Sequence, residues 1–190
     1  MSNYTQPRTV TTGHGIFSVR NATLLGVLLA AGFILNFTVG KAVSSLTAGA
    51  ISPEFIISAF CLTILAIRPN VLQALVIGLI SAAVIQITTT SPFIDFAAEG
   101  IAAMVMALFV QFGMRGAAAK VTPVLGTFVT TALSGVIFMV IKLATAGFAA
   151  EMVAKLPAAM LPVIFATAVF NAILVGALYI PVKKALGLTD

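Results

Sequence analysis

Four of the five acidic residues in this chain, Glu54, Asp95, Glu99 and Glu151, fall at or near the ends of long apolar segments, and two basic residues, Lys41 and Lys142, occupy similar positions. Asp95 and Glu99 stand four residues apart, which puts both carboxylates on one face of a helix. If that helix begins near Ile94, Glu99 lies ~7.5 Å along its axis. A Lys or Asp at the centre of a bilayer costs about 2.5–3.5 kcal/mol on insertion scales, so Glu99 and Lys142 are expected to share a polar cavity or to pair with one another. The alternatives are that Lys142 snorkels to the interface and that Glu99 complements a helix dipole. For Asp95 the alternative is simple N-capping. Catalysis is not expected. One cysteine, one histidine, His14, and five acidic residues exclude a disulfide scaffold, a zinc cluster and most redox cofactor sites, no nucleophile and base pair stands out, and no metal or cofactor is expected. Recognising or moving a molecule fits such a set of groups better than transforming one.

The elements that must position these groups are set by composition. The 190 residues are 61% hydrophobic and only 8% charged, against roughly 45–50% and 25% in soluble domains. A bilayer-spanning helix takes ~20 apolar residues, so six would use ~120 positions and leave ~70 for loops and tails. Polar breaks mark six segments, about Val19 to Gly40, Pro53 to Ile67, Val71 to Thr90, Ile94 to Gly113, Val121 to Gly147 and Pro157 to Val182. The runs are continuously apolar rather than alternating, which predicts an all-α integral membrane protein, a six-transmembrane-helix bundle, and not a barrel. Pro53 and Pro157 suit first helical turns, and Arg68-Pro69-Asn70 suits a tight turn because a residue before proline leaves the helical region. The second segment is short for a bilayer and is expected to be tucked against its neighbours or to continue into Ser44 to Ile51.

Orientation follows from charge. Arg8, Arg20, Arg68, Arg115, Lys120, Lys183 and Lys184 fall on one side, and Lys41, Lys142 and Lys155 on the other. The positive-inside rule then makes both termini cytoplasmic and gives a multi-pass cell-membrane protein. The isoelectric point of 9.8 reflects this topology and not nucleic-acid binding. Residues 1–18 are polar and read as a flexible cytoplasmic tail, with a single membrane domain over 19–186.

Within the spans, Asn36, Gln73, Gln86, Gln111 and Asn171 need hydrogen-bond partners, and interhelical bonding is the simplest role for each. Gln86 stands out for its place near the outer end of its span, and Asn171 for its depth in a broad apolar run. Ala22, Gly26 and Ala30 place small residues along one face of the first helix, which permits close approach of another helix, in a partner or in the same bundle. No Gly-x-x-x-x-Gly-Lys-Ser/Thr loop is present, so the chain does not use ATP by itself in the usual way.

These features resemble a known family. Six helices, the ladder Ala22/Gly26/Ala30, cytoplasmic termini and the missing ATP site look like the substrate-binding S components of energy-coupling factor transporters. The segment SPEFIISAFCLTILAIRPNVLQALVIGLISAAVIQITTTSP, Ser52 to Pro92, is similar to the tryptophan-transport branch. Its matching features are Pro53-Glu54, the Arg-Pro turn into NVLQALVIG and the Thr-Thr-Thr-x-Pro exit; LSGVIF from Leu133 and the Leu161-Pro162 and Phe170 to Ile173 pieces also fit. The resemblance implies a high-affinity site for a small molecule near the outer surface, under the loops after spans one, three and five. It also implies docking through Ala22, Gly26 and Ala30 onto a transmembrane coupling subunit driven by two ATPase subunits.

For tryptophan or a related aromatic molecule, burying ~200 Å² of ring at about 25 cal/mol/Å² gives roughly 5 kcal/mol, while nanomolar binding needs about 12. Charge-assisted bonds must supply the rest. Lys41 or Lys142 would meet the carboxylate and Glu54, Asp95 or Glu99 the ammonium, with Phe55, Gln86 and Asn171 also assigned to the site. Phe37, Phe93 and Phe96 join Phe55 as expected stacking walls. The partners implied are thus a small-molecule substrate, membrane lipid and the coupling and ATPase subunits. Two other readings stay open: a self-sufficient secondary transporter or channel for a small metabolite, and a membrane adaptor with no ligand.

Overall fold

The computed structural model describes residues 18–49, 53–89 and 91–187. The tail assigned to residues 1–18, with Arg8 and His14, therefore lies outside the described residues except for Ser18, as do Ser52, Thr90 and Asp190. All regular structure among the described residues is helical. Ser18 caps the first helix by accepting the Asn21 N–H at 3.3 Å. Helix α1 (Val19–Leu35) passes through a π-helical turn, Asn36–Gly40, into α2 (Lys41–Leu46), and together they make one apolar rod of 28 residues. Then follow α3 (Phe55–Ile67), α4 (Val71–Ile85), α5 (Ile94–Gly113), a 3-10 turn (Gly116–Lys120), α6 (Thr122–Thr145) and α7 (Ala150–Ala185). The α1–α2 rod, α5, α6 and α7 are long and apolar enough to cross a membrane, while α3 and α4 are shorter apolar helices.

The hub is α3. Every residue from Phe55 to Leu65 is buried, and the helix packs against α1, α4, α5, α6 and α7. A helix hydrophobic all round is either a core helix or a membrane span, and burial on every side makes α3 the core one. Lipid is as apolar as leucine, so close packing rather than water exclusion must hold such helices together, and small residues set the spacing. On α1 the buried stripe is Leu25, Leu29 and Gly32; a Cβ added at Gly32 would sit 3.0 Å from the Phe55 carbonyl oxygen. Between α4 and α5 the approach is tighter, since a Cβ at Gly78 would fall 2.5 Å from the Glu99 carbonyl oxygen.

Several boundaries differ from those expected. α4 ends at Ile85, short of Thr90, because the Gln86 side chain accepts the Phe93 N–H at 2.9 Å and organises the turn. α3 starts at Phe55, so Pro53 precedes the helix. The last helix starts at Ala150 rather than at Pro157, which lies inside it. Gly147 and Phe148 have positive φ and reverse the chain just before Ala150, and Glu151 in the first turn complements the dipole. Gln73 is not interhelical. It completes a capping box with Asn70, whose Oδ1 accepts the Gln73 N–H at 2.8 Å.

Lengths explain the hollow in this bundle. α3 and α4 have 13 and 15 residues, or about 20 and 22 Å, whereas the 24 residues of α6 run about 36 Å. The tight turn at Arg68-Pro69-Asn70 joins the two short helices at one end, so both stop short at the other. That other end carries the cavity.

Candidate functional site

A cavity of about 400 Å³ opens above the start of α3. Its walls come from the π-turn and α2 (Asn36, Lys41, Ser44), the approach to α3 (Pro53, Glu54), the end of α4 (Ile85, Thr88, Thr89), the start of α5 (Asp95, Glu99), the second half of α6 (Thr131, Ser134, Phe138) and α7 (Met160, Ile164, Thr167). Alternating helix directions bring these distant stretches to one end, while Arg20, Arg68, Arg115, Lys120, Lys183 and Lys184 lie at the opposite ends of the same helices. There the Arg20 guanidinium donates to the Leu186 carbonyl, which joins the two ends of the described chain.

Three carboxylates line the cavity, each held differently. Glu54 receives a side-chain hydrogen bond from Asn36, and the same Asn36 accepts the Phe55 N–H through Oδ1 at 3.2 Å, capping α3. Asp95 is buried and accepts from Gln86 Nε2 at 3.2 Å. Glu99 is only 3% exposed; its Oε1 accepts from Ser134 Oγ at 2.9 Å, and its Oε2 is buried with no hydrogen-bond partner.

Of the residues assigned from sequence, Lys41, Glu54, Asp95 and Glu99 line the cavity. Gln86 and Asn171 stand behind it as supports. Gln86 ties the end of α4 to α5, and the buried Asn171 donates through Nδ2 to the Glu54 carbonyl oxygen at 3.2 Å and to Thr131 Oγ1 at 3.4 Å. Phe55 and Lys142 do not line it. The Phe55 ring turns inward to make an edge contact with Phe170, centroids 5.7 Å apart, and Lys142 Nζ lies 5.5 Å from the centroid of Phe138. No ion pair joins Lys41 or Lys142 to Glu54, Asp95 or Glu99 among the described residues, so the expected Glu99–Lys142 pairing is not formed. Lys41 Nζ sits over the Phe37 ring at 4.4 Å, and Glu151 pairs with Lys155 at 2.7 Å on the surface. Of the aromatic residues expected as stacking walls, Phe37 and Phe93 are 53% and 77% exposed, and the aromatic side chain that does line the cavity is Phe138.

Sequence reasoning overlooked Ser134 and Thr131. Their signal was legible: Thr127, Thr130, Thr131 and Ser134 recur at helical spacing in an apolar span and mark one face, and all four are buried. Below the cavity this seam holds more oxygens without protein partners, among them Ser58 Oγ, Thr130 Oγ1 and Asn171 Oδ1. The ladder Ala22, Gly26 and Ala30 faces outward. All three residues are exposed, and a Cβ added at Gly26 would meet nothing within 4 Å.

Searched against models of protein families, curated proteins and solved structures, the chain matches none.

Proposed function

We propose that this chain is the substrate-binding membrane subunit of an importer of the energy-coupling factor type, taking tryptophan or a related aromatic small molecule, with both termini cytoplasmic. The observation that carries this reading is the cavity itself: a hollow of about 400 Å³, walled by buried acids and apolar side chains, at one end of an apolar bundle. Small-molecule sites occupy about 300–1,000 Å³ and combine apolar walls with a few placed polar groups. The cluster of arginines and lysines at the opposite end supports an outward-facing cavity, by the positive-inside rule. In this arrangement all six apolar segments cross the bilayer, with the short α3 sheltered by its neighbours. The subunit binds its substrate without transforming it; hydrolysis of ATP is left to two partner ATPases, reached through a transmembrane coupling subunit.

Docking is assigned to Ala22, Gly26 and Ala30, whose outward face lets another helix approach the α1 backbone closely. Calorimetry on purified protein in nanodiscs tests the ligand. Heat on adding tryptophan or an indole compound is expected, and its absence from folded protein would remove the aromatic assignment. Co-purification with the coupling subunit tests docking. Gly26→Leu projects into open space in the isolated chain, so it is expected to leave ligand binding unchanged and to abolish complex formation; a surviving complex would rule this face out.

A further inference from the structure

Charge in the cavity is lopsided in a way that names its ligand more narrowly. Glu54, Asp95 and Glu99 line it, against Lys41 alone, and the Lys41 ammonium rests over the exposed Phe37 ring. Lys142 faces Phe138 and is not in the lining. A ligand carboxylate entering this space would find one cation and three acids. An ammonium would find three acceptors and one like charge.

The deepest acid also waits for a partner. Glu99 is 3% exposed, and although Ser134 satisfies Oε1, Oε2 has no hydrogen bond. A buried carboxyl oxygen left without a hydrogen bond carries a cost that a donor entering the cavity would remove. A metal ion is a poor candidate, since no group of three or more His, Cys, Asp or Glu side chains among the described residues could hold one. Metal ions draw all their ligands to within about 2.0–2.6 Å of a single point, whereas an ammonium donates three separate hydrogen bonds of about 2.7–2.9 Å and can bridge acceptors that are further apart. Asp95 and Glu99 stand four residues apart on one face of α5, which puts their Cβ atoms about 5–6 Å apart. Ile57, Ile85, Phe138 and Ile164 supply apolar wall for the rest of the molecule.

We infer that the cavity selects an organic cation, an ammonium on an apolar body, held by Asp95 and Glu99, and that a ligand carboxylate is a liability there. This rests on the binding-subunit reading and narrows its substrate class, because it ranks an aromatic amine above the corresponding amino acid.

The test titrates the full chain in nanodiscs with tryptamine, tryptophan and indole-3-propionate, and with phenethylamine and 3-phenylpropionate. Tryptamine is expected to bind at least about tenfold more tightly than tryptophan, the scale of one charge-assisted hydrogen bond, with no binding of either acid. Glu99→Gln preserves shape and is expected to remove the roughly tenfold preference for tryptamine over tryptophan. Asp95→Asn gives the same readout should the first variant fail to fold. If tryptophan or indole-3-propionate binds as tightly as tryptamine, the cation assignment falls and the binding subunit stands. If phenethylamine binds, 3-phenylpropionate does not and no indole registers, the cation assignment stands and the tryptophan-like ligand falls. Binding of none of the five to folded protein overturns both.

Discussion

The two ends of the bundle are closed by different means. At the basic end, α3 ends on Arg68 with φ of 53°, Pro69 follows, and the Asn70/Gln73 capping box starts α4; these helix ends are set within a few residues, beside two long-range bonds, from Arg20 to the Leu186 carbonyl and from Gln111 to the Pro69 carbonyl. At the cavity end, order comes from side chains that reach across the chain: Asn36 caps α3, Gln86 holds α5 through Asp95 and Phe93, and Asn171 on α7 grips the carbonyl of Glu54. Among the described residues, three of the four non-glycine residues with positive φ, Ala48, Phe93 and Phe148, also sit in the loops at this end. Strained backbone and a buried carboxylate oxygen without a partner each carry a cost. The basic end is built for stability, and the cavity end gives some of that up to keep a polar hollow open.

Substitutions can break or sharpen this contrast. The largest effect is expected at Gly78, where an alanine Cβ would collide with the backbone of Glu99; Gly78→Ala should cost about 3 kcal/mol and weaken ligand binding, since α5 carries both Asp95 and Glu99. An unfolding midpoint in detergent equal to that of the parent chain would mean that α4 and α5 are not in contact there. Next comes Asn171→Ala, which leaves the Glu54 carbonyl without its long-range donor and is expected to cost about 2 kcal/mol and to loosen the site. At the basic end, Asn70→Ala removes only a cap, so about 1 kcal/mol should be lost with affinity unchanged. A fall in affinity for that variant would show that the two ends are coupled. The smallest effect is expected for Thr130→Val. The Thr130 hydroxyl is buried without a protein partner, so an isosteric apolar replacement should shift stability by no more than about 0.5 kcal/mol, in either direction. A loss above about 2 kcal/mol would instead point to ordered water satisfying that hydroxyl.

Much of the fold could be read before any coordinates. The bounds of α5 come out as expected from Ile94 and Gly113, and the Arg68-Pro69-Asn70 turn is where a pre-proline residue must leave the helix. Of the two expectations for the short second segment, the one met is that it is tucked among its neighbours. Lys41, Glu54, Asp95 and Glu99 were found because a charge in an apolar span stands out by its cost. Lys142 stood out for the same reason, but its side chain goes to Phe138. Ser134 and Thr131 were missed because a hydroxyl in a membrane helix can bond to its own backbone and raises no such alarm.

Composition and the placement of ten basic and five acidic residues were enough to determine a helical membrane chain, its turn at Arg68-Pro69-Asn70, and the segregation of its acids from most of its bases, because those properties depend on local hydropathy and charge alone. Which glycine seats a helix, which acid lacks a partner and which phenylalanine reaches the cavity were decided only by tertiary structure. In a soluble helix a polar face announces the buried one. Here both faces of α1 are apolar, and Gly26, open to its surroundings, and Gly32, pressed against Phe55, look alike until the helices are packed.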